Sequence, residues 1–347
     1  MKLVKPVAVA ALSAAVVAGG IAVSLTDAAA SANPSTASVS NGQLHFTAGN
    51  GTANHLTVTA RNGGGFTLTD TATTISLSSP AGCVLSADKF AVQCPGTVIE
   101  LDVVLADGDD TFTNQTATQA VAEGSDGDDT LLGGSGPDSL HGGNGDDLIY
   151  GGYGDDILDG DAGVDTVYGQ AGDDILSSFD NNDALWGSSG RDRLVYGLTM
   201  HGDDGDDVLV PARHGEIWGG TESDTIDYSA WTQLVNVSLD GVANDGSTGT
   251  DPTHDPCGGW LPGGCVPGPM NVHGDIEKII GTRYNDMIIG NGNANEIDAG
   301  AGNDAIDGGG GNDYLDVEAG AQQRVHGGGG TDTCVGYGIT VKDGCEN

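Results

Sequence analysis

From residue 131 to residue 194 an aliphatic side chain returns at every ninth position: Leu131, Leu140, Ile149, Leu158, Val167, Leu176, Leu185 and Leu194. Two residues before each stands an aspartate: Asp129, Asp138, Asp147, Asp156, Asp165, Asp174, Asp183 and Asp192. Two residues before each of those stands a glycine, with Asn181 the single substitute. Residues 124–195 therefore divide into eight nonapeptides in register. The short apolar runs predict a strand at positions seven to nine of each repeat, and the Gly/Asp-rich remainder predicts a turn over positions one to six. One inward aliphatic residue per repeat is too little for an ordinary globular core. It suits a solenoid, in which each repeat packs on its neighbours along a thin continuous core.

The pattern changes on either side. Residues 33–105 carry no repeat but alternate in strand fashion at Leu44–Phe46, Leu56–Val58, Phe66–Leu68, Ile75–Leu77 and Val98–Leu101. They read as an N-terminal β cap covering the solenoid end, with an independent β-sandwich-type binding domain as the rival reading. Residues 106–228 form a first repeat block. Asp110 enters it, register slips after Val195, and Asp207 and Asp224 restore the acid column. Residues 229–273 read as an insertion: a strand-like Val235–Leu239 leads into a Gly/Asp/Pro-rich loop holding Cys257 and Cys265. Residues 274–347 form a second block and C-terminal cap. Its acid column is Asp286, Asn295, Asp304, Asp313 and Asp332, with an amide at Asn295 and a degenerate repeat over 317–326.

Repeats such as GGNGDDLIY and GGYGDDILD follow the pattern G-G-x-G-x-D-x-U-x and resemble the RTX, or hemolysin-type, calcium-binding repeat family. The resemblance implies an all-β chain: a parallel β-roll, or β-solenoid, of calcium-binding nonapeptides in two blocks. Two nonapeptides then make a coil of 18 residues. Asp129, Asp147, Asp165 and Asp183 stack along one edge, and Asp138, Asp156, Asp174 and Asp192 along the other. It also implies that the sixth-position carboxylates and turn carbonyls ligate several Ca2+ ions. The candidate metal ligands are Asp110, Asp129, Asp138, Asp147, Asp156, Asp165, Asp174, Asp183, Asp192, Asp207, Asp224, Asp286, Asp304, Asp313 and Asp332. The acid at the fifth position, such as Asp128 or Asp146, is expected to face solvent.

Elementary electrostatics agrees with a cation. Carboxylates one strand spacing apart, about 4.8 Å, repel by roughly 1 kcal/mol in water and about 3–4 kcal/mol at an effective dielectric of 20. Repeated along two edges, this repulsion opposes folding until a counter-ion is supplied. Calcium takes 6–8 oxygen ligands in tolerant geometry, whereas magnesium demands a stricter octahedron. Transition metals recruit nitrogen or sulfur, and no histidine stands in the acid column. Folding and calcium binding are therefore expected to be coupled.

Composition narrows the partners. The 347 residues hold 60 Gly, 5% aromatics and 50 Asp+Glu against 11 Lys+Arg, for a net charge of −39. Such acidity argues against nucleic acid as a partner and favours cations. Residues 1–32 read as a secretory signal peptide: Lys2 and Lys5, an apolar stretch from Pro6 to Leu25, then Ala30-Ser31-Ala32. No later apolar run is long enough to span a membrane, so the mature chain is expected to be extracellular. Six cysteines suit that compartment. Their proximity suggests pairing Cys83–Cys94, Cys257–Cys265 and Cys334–Cys345, although six cysteines allow fifteen arrangements.

No H-E-x-x-H, G-x-S-x-G or P-loop motif occurs. The expectation is a secreted, non-catalytic bacterial protein that folds on extracellular calcium and has a surface, adhesive or matrix role, with cell-surface or matrix polymers as partners. Two alternatives stand beside it. One is a polysaccharide-acting enzyme on the solenoid scaffold, with Trp186, Trp218, Trp231 and Trp260 as candidate sugar-lining aromatics or as packing residues. The other is a cytolytic toxin, which lacks the apolar membrane-active segment expected of one.

Overall fold

The computed structural model describes residues 34–78, 82–178, 182–212, 215–241, 245 and 270–346. The predicted signal peptide, Trp260 and the Cys257–Cys265 pair lie outside them. The described residues contain strands and turns and no helix. Most of the strands form a parallel β-solenoid with two faces, and successive strands alternate between them. On one face Ser139–Asn144 pairs with Ile157–Ala162, which pairs with Ile175–Ser177 and then Arg193–Val195. On the other, Thr130–Gly134 pairs with Leu148–Tyr153, Thr166–Ala171 and Ala184–Ser189 in turn. Leu131 lies against Ile149, and Leu140 against Leu158, so residue i stacks on i+18 as the nonapeptide period requires. From Thr130 to Ala171 the strands run longer than three residues and extend into the first two or three positions of the next repeat, whereas Ile175–Ser177, Arg193–Val195 and the strands from Lys278 to Asp307 keep to three.

Because side chains alternate across a strand, the sixth, eighth and following first positions face inward together. The aliphatic column from Leu131 to Leu194 is fully buried, and Met200, Leu209, Ile217 and Ile226 continue it. Met200 and Ile217 hold their place although their rungs contain 15 and 17 residues, read from Leu185↔Met200 and Met200↔Ile217. The slip after Val195 is absorbed in the turn and the core column is kept. In the second block Ile279, Ile288, Ile297, Ile306, Leu315, Val325 and Cys334 fill the same column. The degenerate repeat does not interrupt the sheet, because Tyr314–His326 runs as one long strand beside Thr333–Asp343.

The N-terminal segment is continuous with the solenoid. Gln43–Thr47 pairs in parallel with Glu100–Val104, and His55–Ala60 with Thr111–Gln115, so these strands are rungs of the two faces. Antiparallel strands form the cover: Ser35–Ser40 on one face, and Phe66–Asp70, Ala91–Cys94 and Val84–Leu85 on the other. Disulfides Cys83–Cys94 and Cys334–Cys345 join residues within the first and last parts of the described chain. The ends of the predicted insertion are also built into the sheets. Asn236–Ser238 pairs with Met287–Ile289, and Met270–Val272 with Gly215–Thr221. Buried Asp245 accepts the backbone N–H of Ser238 on one oxygen and that of Val272 (2.8 Å) on the other, linking the two strands.

One outward column is aromatic. Tyr150, Tyr168, Trp186, His201, Trp218 and His273 stack face to face on successive rungs, with ring centroids 4.2–5.6 Å apart. Stacked rings shield one another's faces, so Trp186 and Trp218 act as packing residues along the sheet. Trp231 packs edge-on against buried Tyr228, and its indole N–H donates to the Pro211 carbonyl (3.2 Å).

The second repeat position adopts left-handed backbone. Gly134, Gly143 and Gly152 have φ of 126°, 114° and 114°, but Ser125, Gln170 and Ser188 occupy the same position at 86°, 76° and 80°. A Cβ in that region costs roughly 1–2 kcal/mol, against roughly 0.5–1 kcal/mol of chain entropy for a glycine. Gln170→Gly is expected to raise the stability of the calcium-loaded protein by about 0.5–1 kcal/mol, read from thermal melts. A lowered melting temperature would contradict this account of the turn.

Candidate metal centres along the solenoid edges

In a regular repeat the inward alternation places an aspartate, an aliphatic residue and a glycine in sequence on the interior side of the strand. The aspartate lies at the solenoid edge, where the turn begins, and its carboxylate folds back under the glycine at the first position of its own repeat. A methyl carbon on Gly142 would overlap Asp147 Oδ2 and lie 2.7 Å from the carbonyl oxygen of Gly160 on the next rung. The same relation holds for Gly133 with Asp138, Gly151 with Asp156, Gly202 with Asp207 and Gly308 with Asp313. The first glycine of the repeat is therefore required by close approach: its missing side chain is the space the carboxylate occupies.

All fifteen candidate aspartates are buried, with exposures of 0–3%. They fall into two columns. Asp110, Asp129, Asp147, Asp165 and Asp183, and later Asp286 and Asp304, follow one edge. Asp138, Asp156, Asp174, Asp192, Asp207 and Asp224, and later Asp313 and Asp332, follow the other. Within a column Oδ1 accepts a backbone N–H from one rung earlier, in the regular run that of the preceding acid and at Asp138 that of Ala120. Asp129 N–H donates to Asp147 Oδ1 (2.7 Å), Asp147 N–H to Asp165 Oδ1 (2.8 Å) and Asp165 N–H to Asp183 Oδ1 (2.7 Å). On the other edge Asp138, Asp156, Asp174 and Asp192 bond in the same way.

The second oxygen is what distinguishes these sites. Oδ2 of Asp110, Asp129, Asp138, Asp147, Asp156, Asp174, Asp192, Asp207, Asp224, Asp304, Asp313 and Asp332 is buried without a hydrogen-bond partner. A buried acceptor left unsatisfied is costly, and an ionised one more so. Burial accordingly pushes the carboxyl pKa up: to about 6 for Asp110, Asp129, Asp147, Asp174, Asp207 and Asp313, and to about 7 for Asp138, Asp156, Asp192, Asp224 and Asp304. The backbone N–H on Oδ1 offsets only part of this. For Asp129, Asp138, Asp147, Asp156, Asp174, Asp192, Asp207, Asp313 and Asp332 a glycine carbonyl of the adjacent rung borders the same space, and for Asp224 the Asp275 carbonyl does, so the local donor set is oxygen alone. That set suits a hard divalent cation of calcium's kind.

Two candidates differ. Ser178 replaces the first glycine of its repeat, and its hydroxyl donates to Asp183 Oδ2. Asp286 accepts the Thr282 N–H (2.6 Å) on Oδ2, and on Oδ1 both the Thr282 hydroxyl (2.9 Å) and the Val235 N–H (2.8 Å). Protein donors already satisfy these carboxylates. Asn295 keeps the column position, and its Oδ1 accepts the Asn291 N–H (2.9 Å).

The columns also hold residues outside the predicted set. Glu277 Oε2 accepts the Asp224 N–H (3.0 Å), and Gln323 Oε1 accepts the Asp304 N–H (2.6 Å). Asn54 N–H donates to Asp110 Oδ1 at the N-terminal end, and Glu346 accepts from Asp332 N–H at the other. Glu277 was readable from Ile279, which stands 18 residues before Ile297 and fixes the acid position two residues earlier. Gln323 lay hidden in the degenerate repeat. The fifth-position acids are exposed as expected, yet they form a ladder of opposite sense. Asp146 N–H donates to Asp128 Oδ1 (2.9 Å) and Asp173 N–H to Asp155 Oδ1 (3.0 Å), each reaching back one rung.

Comparison with known families identifies the repeat. The model described as the RTX calcium-binding nonapeptide repeat (4 copies) matches residues 123–158, 159–194 and 280–315. These are the stretches in which the 18-residue rung is uninterrupted. No curated protein matches the chain.

Two outcomes follow from the buried oxygens. Gly142→Ala is expected to abolish one ion site and destabilise the calcium-loaded fold by about 1–3 kcal/mol, the usual cost of overpacking. Gly292→Ala, at which an added carbon meets nothing within 4 Å, serves as the neutral control, and calcium calorimetry with thermal melts compares the two. The second concerns pH. The folded-state pKa values of about 6–7 exceed the unfolded value of about 4, so ionisation opposes the ion-free fold. That penalty is absent below pH 4, grows between pH 4 and 7, and is complete above. In chelator, far-UV circular dichroism is expected to gain β signal as pH falls from 7.5 towards 4. A flat profile would contradict the desolvation of these carboxylates.

Proposed function

The chain carries RTX calcium-binding nonapeptide repeats, and on that premise we propose that it is an exported, non-catalytic scaffold whose β-roll folds when several calcium ions enter its two edges. The observation that carries the proposal is the run of buried carboxylate oxygens without a partner, most of them placed under a glycine and beside a carbonyl of the next rung. Inside a cell, where free calcium is scarce, the uncompensated carboxylates keep the chain unfolded and suited to export. Outside, calcium replaces the missing partners and the chain closes rung by rung from the longest regular block. A leader-like N-terminus and paired cysteines support export. The finished roll presents a long acidic surface, which fits a role at the cell surface or in a matrix and cell-surface or matrix polymers as partners.

The test is refolding of the full chain followed by far-UV circular dichroism. With chelator at neutral pH the repeats are expected to be largely disordered, and millimolar calcium is expected to make them β-rich, whereas equal magnesium is not. Identical spectra in chelator and in calcium would overturn the proposal.

A further inference from the structure

Away from both edges, the outer face of one sheet carries a constellation of different chemistry. His141 and Asp159 are register partners on the neighbouring strands Ser139–Asn144 and Ile157–Ala162. Both point outward, because Leu140 and Leu158 beside them fill the core. Asp161, two residues after Asp159, shares that face. Its register partner is Gly143, which presents no side chain between Asp161 and the imidazole. The ligand atoms of His141, Asp159 and Asp161 all lie within 4.8 Å of one another. His141 Nδ1 stands 3.6 Å from Asp161 Oδ2, too far for a hydrogen bond. Asp159 is held by the backbone N–H of Asp161, which donates to its Oδ1 (3.1 Å). On the other side of His141 its register partner is Glu123. One imidazole thus sits among three carboxylates.

We infer that His141, Asp159 and Asp161 form a transition-metal site, of zinc-like preference, separate from the calcium columns. The donor set carries the argument. The edge sites offer oxygen alone, whereas this one adds an imidazole nitrogen, the ligand that suits zinc, copper and nickel. Three protein donors are what an open four-coordinate zinc site uses, leaving one position for solvent or for a ligand brought by a partner. Calcium, which needs six to eight oxygens, is poorly served by three half-exposed side chains. A divalent ion also relieves the mutual repulsion of Asp159, Asp161 and Glu123. The site needs only that two adjacent rungs be formed, so it is present once the roll is folded.

The experiment is a zinc titration of the full chain by calorimetry in excess calcium, which keeps the edges saturated, with circular dichroism confirming the fold of each variant. The wild type is expected to bind one more zinc equivalent than His141→Ala, and Asp161→Asn is expected to weaken that equivalent at least tenfold. The calcium titration is expected to be the same in all three, because none of these side chains faces the edge columns. Equal zinc stoichiometry in wild type and His141→Ala would overturn the inference, and so would displacement of the zinc by millimolar calcium. A failure of calcium to fold the chain would appear separately, in the circular dichroism.

Discussion

The structure turns on a carboxylate buried beneath a glycine. Each regular repeat places an aspartate on the inward side of its strand and then removes the side chain that would have covered it. One oxygen is absorbed by a backbone N–H of the preceding rung. The other is shut away from water with nothing in the protein to meet it at most of the repeats. Such a group is tolerable when protonated or when bound to a cation, and it is adverse as a bare anion. The stability of the roll is thereby tied to the ion supply of its surroundings, and the tie is repeated along both edges.

The rest of the architecture accommodates that constraint. Two facing aliphatic columns, one from each sheet, supply the core of the regular block, so much of the packing energy comes from contacts between successive rungs. The two ladders of acids run in opposite senses along the same edge. The buried sixth-position oxygens receive N–H groups from the rung before, and the exposed fifth-position oxygens receive them from the rung after. Each turn is gripped from both sides, which fixes the rung spacing at which a cation can bridge. Where the grip is relaxed, the protein supplies its own donors: Ser178 for Asp183 and Thr282 for Asp286. Irregular rungs are permitted because a length change is confined to a turn while the inward column stays in place, as Met200 and Ile217 demonstrate.

Alternation determines what each face carries. Inward positions are committed to core, glycine and buried acid, so variety is confined to the outward positions. There the side chains of successive rungs form columns about one strand spacing apart. One column became a stack of aromatic and imidazole rings from Tyr150 to His273. Another brought His141 against Asp159, with Asp161 beside them. Residues 18 apart in sequence are neighbours in space, and chemistry can be assembled from single side chains on consecutive rungs.

The sequence by itself determined the class of fold, the 18-residue rung, the inward aliphatic column and the stacking of the eight acids from Asp129 to Asp192 on two edges. All of these follow from a period that repeats without reference to distant residues. The tertiary structure alone decided three further matters. It made the strands of residues 34–105 rungs of the same two sheets, a pairing between segments without any repeat to reveal it. It drew Gln323 into an acid column from within the degenerate repeat, where counting by nines fails. And it separated carboxylates with an unmet oxygen from those already satisfied, as at Asp183 and Asp286. That last distinction rests on whether a nearby hydroxyl or N–H reaches the second oxygen, which is a matter of distance and direction within the folded turn and is absent from the spacing of residue types.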